Sequence, residues 1–87
     1  MRPRSRLLQR ILSGQSDANI RFNDLLVLLR RMGFDERISG SHHVFRRADV
    51  PSRINLQRYG SQAKDYQVRQ VRGIILQYGL HESEDDG

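Results

Sequence analysis

This chain predicts a two-layer α+β domain: a three-stranded antiparallel sheet with two helices on one face, in the order α-β-β-β-α, preceded by an N-terminal helical extension. Three observations carry that expectation. A Leu-rich segment of helical period is followed by three short strand-like segments and then by a second segment of helical period. The strand-like segments are separated by turn-forming residues, Gly40-Ser41 and the stretch from Ala48 to Ser52 with Asp49 and Pro51. With 87 residues the chain forms one small domain with a modest core.

Leu7, Leu8, Ile11 and Leu12 fall on one helical face, so a helix is expected over 6–13, capped by Ser5 and ended by Gly14. A loop runs from Gly14 to Asn19, and the alternation in Ile20-Arg21-Phe22 suggests a short extended piece. The next helix takes Asn23 as N-cap and Asp24 at its positive end. Leu25, Leu26, Leu28, Leu29 and Met32 line its buried face, and Gly33 terminates it. Strands are expected at 34–39, 42–47 and 53–57, the last alternating Ile54 and Leu56 with polar residues. A polar loop from Arg58 to Asp65 leads to a helix over 66–78, striped by Val68, Val71, Ile74, Ile75 and Tyr78. Gly79-Leu80 fits a Schellman ending. The chain divides into an extension (1–21), a compact domain (22–80) and an acidic tail expected to lack order (81–87). No internal repeat is present. One sheet face is left open to solvent or a ligand.

Four of the ten acidic residues (Glu82, Glu84, Asp85, Asp86) lie in the last six positions. Residues 1–81 keep fifteen bases against six acids, about +9, where the whole chain has +5. Fourteen of the fifteen bases are Arg, the side chain suited to bidentate phosphate contact. This excess favours an anionic partner, foremost nucleic acid, over a merely basic surface. Arg-favouring codon use explains the Arg-to-Lys ratio equally well, but not the sign. The absence of cysteine excludes disulfides, thiol nucleophiles and cysteine zinc sites. No apolar run is long enough to span a bilayer. The Arg-rich, amphipathic start resembles a transit peptide but is read as a helix, because nothing like a cleavage site follows. A cytoplasmic protein is expected.

The segment Gly40-Ser41-His42-His43-Val44-Phe45 concentrates the chemistry. Period two puts His42, Val44 and Arg46 on one strand face and His43, Phe45 and Arg47 on the other. Phe45, the larger apolar residue, belongs in the core. His43 is then a packed, neutral, hydrogen-bonded imidazole, and His42 stands on the open face beside Arg46. A one-residue slip would reverse the assignment. Imidazole exchanges protons near neutral pH, and nearby guanidiniums hold phosphate and stabilise developing charge.

Three pieces together resemble the HicA toxins, the YcfA-like small ribonucleases of bacterial toxin–antitoxin pairs: 28–34 (Leu-Leu-Arg-Arg-Met-Gly-Phe), the histidine segment 40–45, and the closing helix with Gly79-Leu80. The resemblance covers about residues 22–80. It implies a fold like the double-stranded RNA-binding domain, metal-independent cleavage of mRNA, and neutralisation by a HicB-type antitoxin covering the active site. The catalytic histidine of that family falls on His42. Two features depart from the family pattern: the turn at 47–51 replaces a His-Pro-Asp-Gly-like turn, and 1–21 is an extension. They bear on the substrate groove and antitoxin contacts more than on His42.

On that resemblance His42 acts as general base or general acid in attack of the RNA 2′-hydroxyl on the adjacent phosphorus. Arg46 is assigned to the charged transition state, with Arg47 or Lys64 in reserve. Ser41, Arg46, Arg47, Lys64 and Arg69 are the expected RNA contacts. Lys64 is equally well a solvated loop charge, and Arg69 with Arg72 a solvated stripe. Tyr59 and Tyr66 flank the polar loop, where packing is favoured over base stacking. His81 is read as a helix-end residue without a role. No metal and no cofactor are expected, because adjacent strand histidines cannot chelate one ion and no phosphate-binding or hydrolase motif is present. Two other functions fit the same residues: a non-catalytic module gripping double-stranded RNA, and an antitoxin-like adaptor that uses 1–21 and 23–32 to bind protein.

Overall fold

The computed structural model describes residues 4–82. Its elements are α1 (Arg6–Ser13), a 3-10 turn (Asp17–Asn19), α2 (Phe22–Arg31), β1 (Asp35–Ser39), β2 (His42–Arg47), β3 (Val50–Gln57) and α3 (Asp65–Tyr78). The strands form one antiparallel sheet in the order β1-β2-β3. Phe45, Ile54 and Leu56 are fully buried, while Arg46, Arg53 and Asn55 between them are exposed. Helices therefore cover one face of the sheet and leave the other open.

Local chemistry sets most boundaries. The Ser5 hydroxyl accepts the Leu8 N–H at 3.1 Å, and α1 ends where Gly14 turns left-handed. Two helices end in Schellman geometry. The Phe34 N–H reaches the Leu29 carbonyl at 3.1 Å beyond Gly33, and the Leu80 N–H reaches that of Ile75 at 3.0 Å beyond Gly79.

Two boundaries differ from the sequence reading by two residues or more. Helix α2 starts at Phe22, with Arg21 and not Asn23 as N-cap, because the Asn23 amide oxygen is occupied by Arg58 Nη2 at 2.7 Å. Strand β3 begins at Val50, three residues early. Ala48 and Asp49 suffice for the turn, so Val50 pairs directly with Arg47, across an irregularity between Phe45 and Arg47. Pro51 is tolerated because β3 is an edge strand.

Residues before 22 enter the same core as the rest. Leu8, Ile11 and Ile20 are buried in one cluster with Phe22, the α2 leucines, Phe45 and the α3 valines. A guanidinium fastens this segment. Arg72 of α3 pairs with both oxygens of Asp17 at 2.9 and 3.2 Å and donates to the Ile11 carbonyl at 3.1 Å. The expected acidic tail is anchored at its start: Glu82 accepts the Ser5 N–H at 3.2 Å and lies 3.4 Å from Arg31 Nε. The remainder of that tail lies outside the described residues. No helix among them is long and apolar enough to cross a membrane.

Candidate functional site

The two histidines are separated by the pleat of β2. His43 is 7% exposed, and its partner across β3 is Leu56. Its Nδ1 lies 2.8 Å from Glu36 Oε2, and its ring meets Phe22 edge-on at 5.4 Å. The other carboxylate oxygen of Glu36 takes Arg30 Nε at 2.7 Å. Burial pushes the Glu36 carboxyl up, but hydrogen bonds and charge from Arg30 and His43 outweigh it and hold the group below its usual 4.5. The trio Arg30–Glu36–His43 is thus a satisfied structural network on the covered side.

His42 is exposed on the open face. Its cross-strand neighbours are Ser39 on β1 and Gln57 on β3. The imidazole Nδ1 lies 3.3 Å from the Asn55 amide oxygen, an acceptor. An amide oxygen only accepts, so Nδ1 is the donor in this contact, and Nε2 has no partner among the described residues. The two-residue turn Gly40-Ser41, with Gly40 at φ +59°, fixes this placement by pairing Ser39 with His42.

The cations on the open face are Arg37, Arg46 and Arg53, all exposed. None of them has a carboxylate partner among the described residues. Arg37 sits opposite Val44, hence diagonal to His42 at about 7–8 Å between backbones. Arg46 shares the face but lies four residues along the strand, about 13 Å from His42. With Arg53, Arg47 and its cross-strand neighbour Asp35 it lines a shallow cleft of about 590 Å³ beside the β2–β3 turn.

The other expected contacts spread out. Ser41 is exposed next to His42, and its carbonyl accepts the Arg58 N–H at 2.9 Å. Arg47 points to the helix side, donating to the Met32 carbonyl at 2.7 Å and pairing with Asp49 at 2.7 Å. Its role there is to peg β2 to the end of α2. Arg69 belongs to the helix layer, where it pairs with Asp65 at 3.2 Å and holds that carboxyl below its usual value. Lys64 precedes α3 with its ammonium 5.4 Å from the Tyr59 ring. The structure therefore brings together His42 and Ser41, puts Arg46 farther along the same face, and turns Arg47 and Arg69 elsewhere.

Arg37, Arg53 and Asn55 were missed by the sequence reading. Their signal was available for two of them: β3 alternation puts Arg53 and Asn55 opposite the buried Ile54 and Leu56. Arg37 needed the hairpin register, which follows from a two-residue turn at Gly40-Ser41. Among the described residues no group of three or more His, Asp or Glu side chains is placed to hold a metal ion. Comparisons with protein-family models, with curated proteins and with solved structures find no match to this chain.

Proposed function

We propose that the chain is a toxin-type endoribonuclease of the HicA kind, cleaving mRNA without a metal and using His42 for proton transfer. The observation that carries this reading is an exposed imidazole, with Nε2 unoccupied by any described partner, on an uncovered sheet face whose cations also lack partners. The arrangement of α2, β1, β2, β3 and α3, with the helices on one side, supports a domain of the double-stranded RNA-binding kind.

In the proposed reaction Nε2 of His42 takes the proton from the RNA 2′-hydroxyl. The 2′-oxygen bonds to the adjacent phosphorus and the bond to the 5′-oxygen breaks. The products are a 2′,3′-cyclic phosphate and a 5′-hydroxyl end, the leaving oxygen regaining a proton from solvent or imidazolium. Arg37, the nearest cation on that face, offsets charge building on the phosphoryl oxygens. Arg46 and Arg53 hold phosphates farther along the strand. A single imidazole contributes about 10²–10⁴-fold, in keeping with a slow nuclease. A HicB-type antitoxin would act by covering this same face, and the cytoplasm is the compartment in which mRNA is met.

One observation favours a second reading, a non-catalytic RNA-binding module. Ser39, Gln57 and Asn55 around His42 supply no second acid or base. An RNA cleavage assay in EDTA separates the two. Cleavage with cyclic-phosphate ends that drops at least about 100-fold in His42→Ala supports the nuclease. Equal RNA binding by both proteins with no cleavage by either supports the module.

A further inference from the structure

Tyr59 and Tyr66 are large aromatic side chains left 45% and 51% exposed, in a protein whose other phenol, Tyr78, packs against the core. One of them is tied by a hydrogen bond to the strand residue beside His42. The Tyr59 hydroxyl donates to Gln57 Oε1 at 2.8 Å, and Tyr66 stands in the first turn of α3, two residues beyond Lys64. Gln57 is the direct cross-strand neighbour of His42 on the open face. The aromatic pair thus begins one side chain away from the imidazole, and Lys64 stands over the Tyr59 ring.

The backbone beneath this pair is pinned. Gln67, only 2% exposed, accepts the Lys64 N–H at 2.9 Å and donates to the Gln57 carbonyl at 2.8 Å, tying the two ends of the loop together. The buried Ala63 donates its N–H to Ile20 at 2.8 Å, and Arg21 bridges Gln62. Exposed rings held on a pinned loop and on the first turn of α3 offer flat apolar surface at little ordering cost on binding. Ring surface beside an ammonium, on a basic face, matches an unpaired nucleotide: base on ring, phosphate on amine. A duplex keeps its bases stacked on one another and has none to offer.

We infer that Tyr59, Tyr66 and Lys64 form a subsite for one unpaired nucleotide of single-stranded RNA next to the bond presented to His42. This inference rests on the nuclease reading for its place in the reaction, but its binding can be measured separately. The occupied subsite positions the strand across His42 and makes single-stranded RNA the substrate in preference to duplex.

The test uses the full chain with a single-stranded RNA hexamer, 2′-O-methylated so that it binds without being cut, and a 16-base-pair RNA duplex for comparison. The protein has three tyrosines and no tryptophan, so its intrinsic emission reports ring stacking directly. The hexamer is expected to quench that emission. Tyr59→Ala and Tyr66→Ala are each expected to weaken hexamer binding about 5- to 100-fold, and Tyr66→Phe to retain it. Duplex binding is expected to be the same in all of these proteins. Hexamer binding that is unchanged in both alanine variants, or unquenched tyrosine emission on binding, would overturn the subsite and leave the pair as a contact for protein. Cleavage of unmodified RNA by the same proteins reads the nuclease separately. Quenching without cleavage keeps the subsite and removes the nuclease. Cleavage that is lost in His42→Ala but untouched in the tyrosine variants removes the subsite and keeps the nuclease.

Discussion

At His43 the imidazole is held by the Glu36 carboxylate on one side and the edge of Phe22 on another, and its neighbour His42 has only the Asn55 amide. Substitution should separate them. His43→Ala strands a buried carboxylate contact and is expected to cost about 1–3 kcal/mol in urea unfolding. His42→Ala, at an exposed position, is expected to stay within about 0.5 kcal/mol of wild type, while under the proposed function cleavage falls at least about 100-fold. Glu36 adds a pH dependence of known sign. Its folded-state pKa lies below the 4.5 of the unfolded chain, so the unfolded state binds protons more readily between those values. Stability contributed by Glu36 is complete above about pH 4.5 and is lost as pH falls through the folded-state pKa. In Glu36→Gln the stability gap to wild type should therefore be largest near neutrality and shrink below pH 4. Unfolding midpoints measured at pH 7 and pH 3.5 check this, and a gap that widens in acid would contradict it.

At the scale of elements, α1 is joined to the domain by apolar contact, by the Ser5–Glu82 hydrogen bond and by an arginine clamp. Ile11 is fully buried, and the Arg72–Asp17 pair shields most of its own surface. Ile11→Ala is expected to lower stability by about 2–5 kcal/mol. Arg72→Ala removes the partner of a largely buried carboxylate and a bond to the Ile11 carbonyl. A loss of about 1–3 kcal/mol is expected, concentrated at the α1–α3 contact. Hydrogen exchange should show faster amides in 8–20 and unchanged protection in β2; uniform loss across the chain would mean that α1 does not open on its own. The same segment illustrates the reach of sequence reasoning. Its helix, with Ser5 and Gly14 as ends, was legible from spacing and caps, because both are local. That it belongs to the core was not, since an amphipathic stripe of four apolar residues does not say what it packs against.

At the scale of the described molecule, several arginines of the helix layer are paired while those of the sheet's open face are not. On the helix layer Arg30 pairs with Glu36, Arg69 with Asp65 and Arg72 with Asp17. On the open sheet face Arg37, Arg46 and Arg53 have no carboxylate partner among the described residues, and under the proposed function they are the ones that meet RNA. RNA affinity should then fall linearly with the logarithm of salt concentration, by about 0.7 per phosphate contacted on a single strand. Arg53→Ala is expected to reduce that slope by about 0.7, and Arg69→Ala, on the helix layer, to leave it unchanged. Fluorescence anisotropy across a salt series measures both, and equal slopes for all three proteins would remove the open face as the binding surface.

By itself the sequence determined what depends on short-range periodicity. The α-β-β-β-α order, the tight turn at Gly40-Ser41 and the placing of Phe45 inside with His42 outside all follow from a period of two or 3.6 and from glycine at turns and helix ends. Tertiary structure decided what depends on register and on distant partners. Arg46 and His42 share a face in the sequence, but only the β1–β2 register puts Arg37 nearer to the imidazole. Arg47 reads like Arg46 until the Met32 carbonyl claims it, and Tyr59 reads like a packing residue until the loop pinned by Gln67 holds it out. Hydrogen bonds between residues far apart in the chain leave no periodic trace, so they become visible only when the chain is folded.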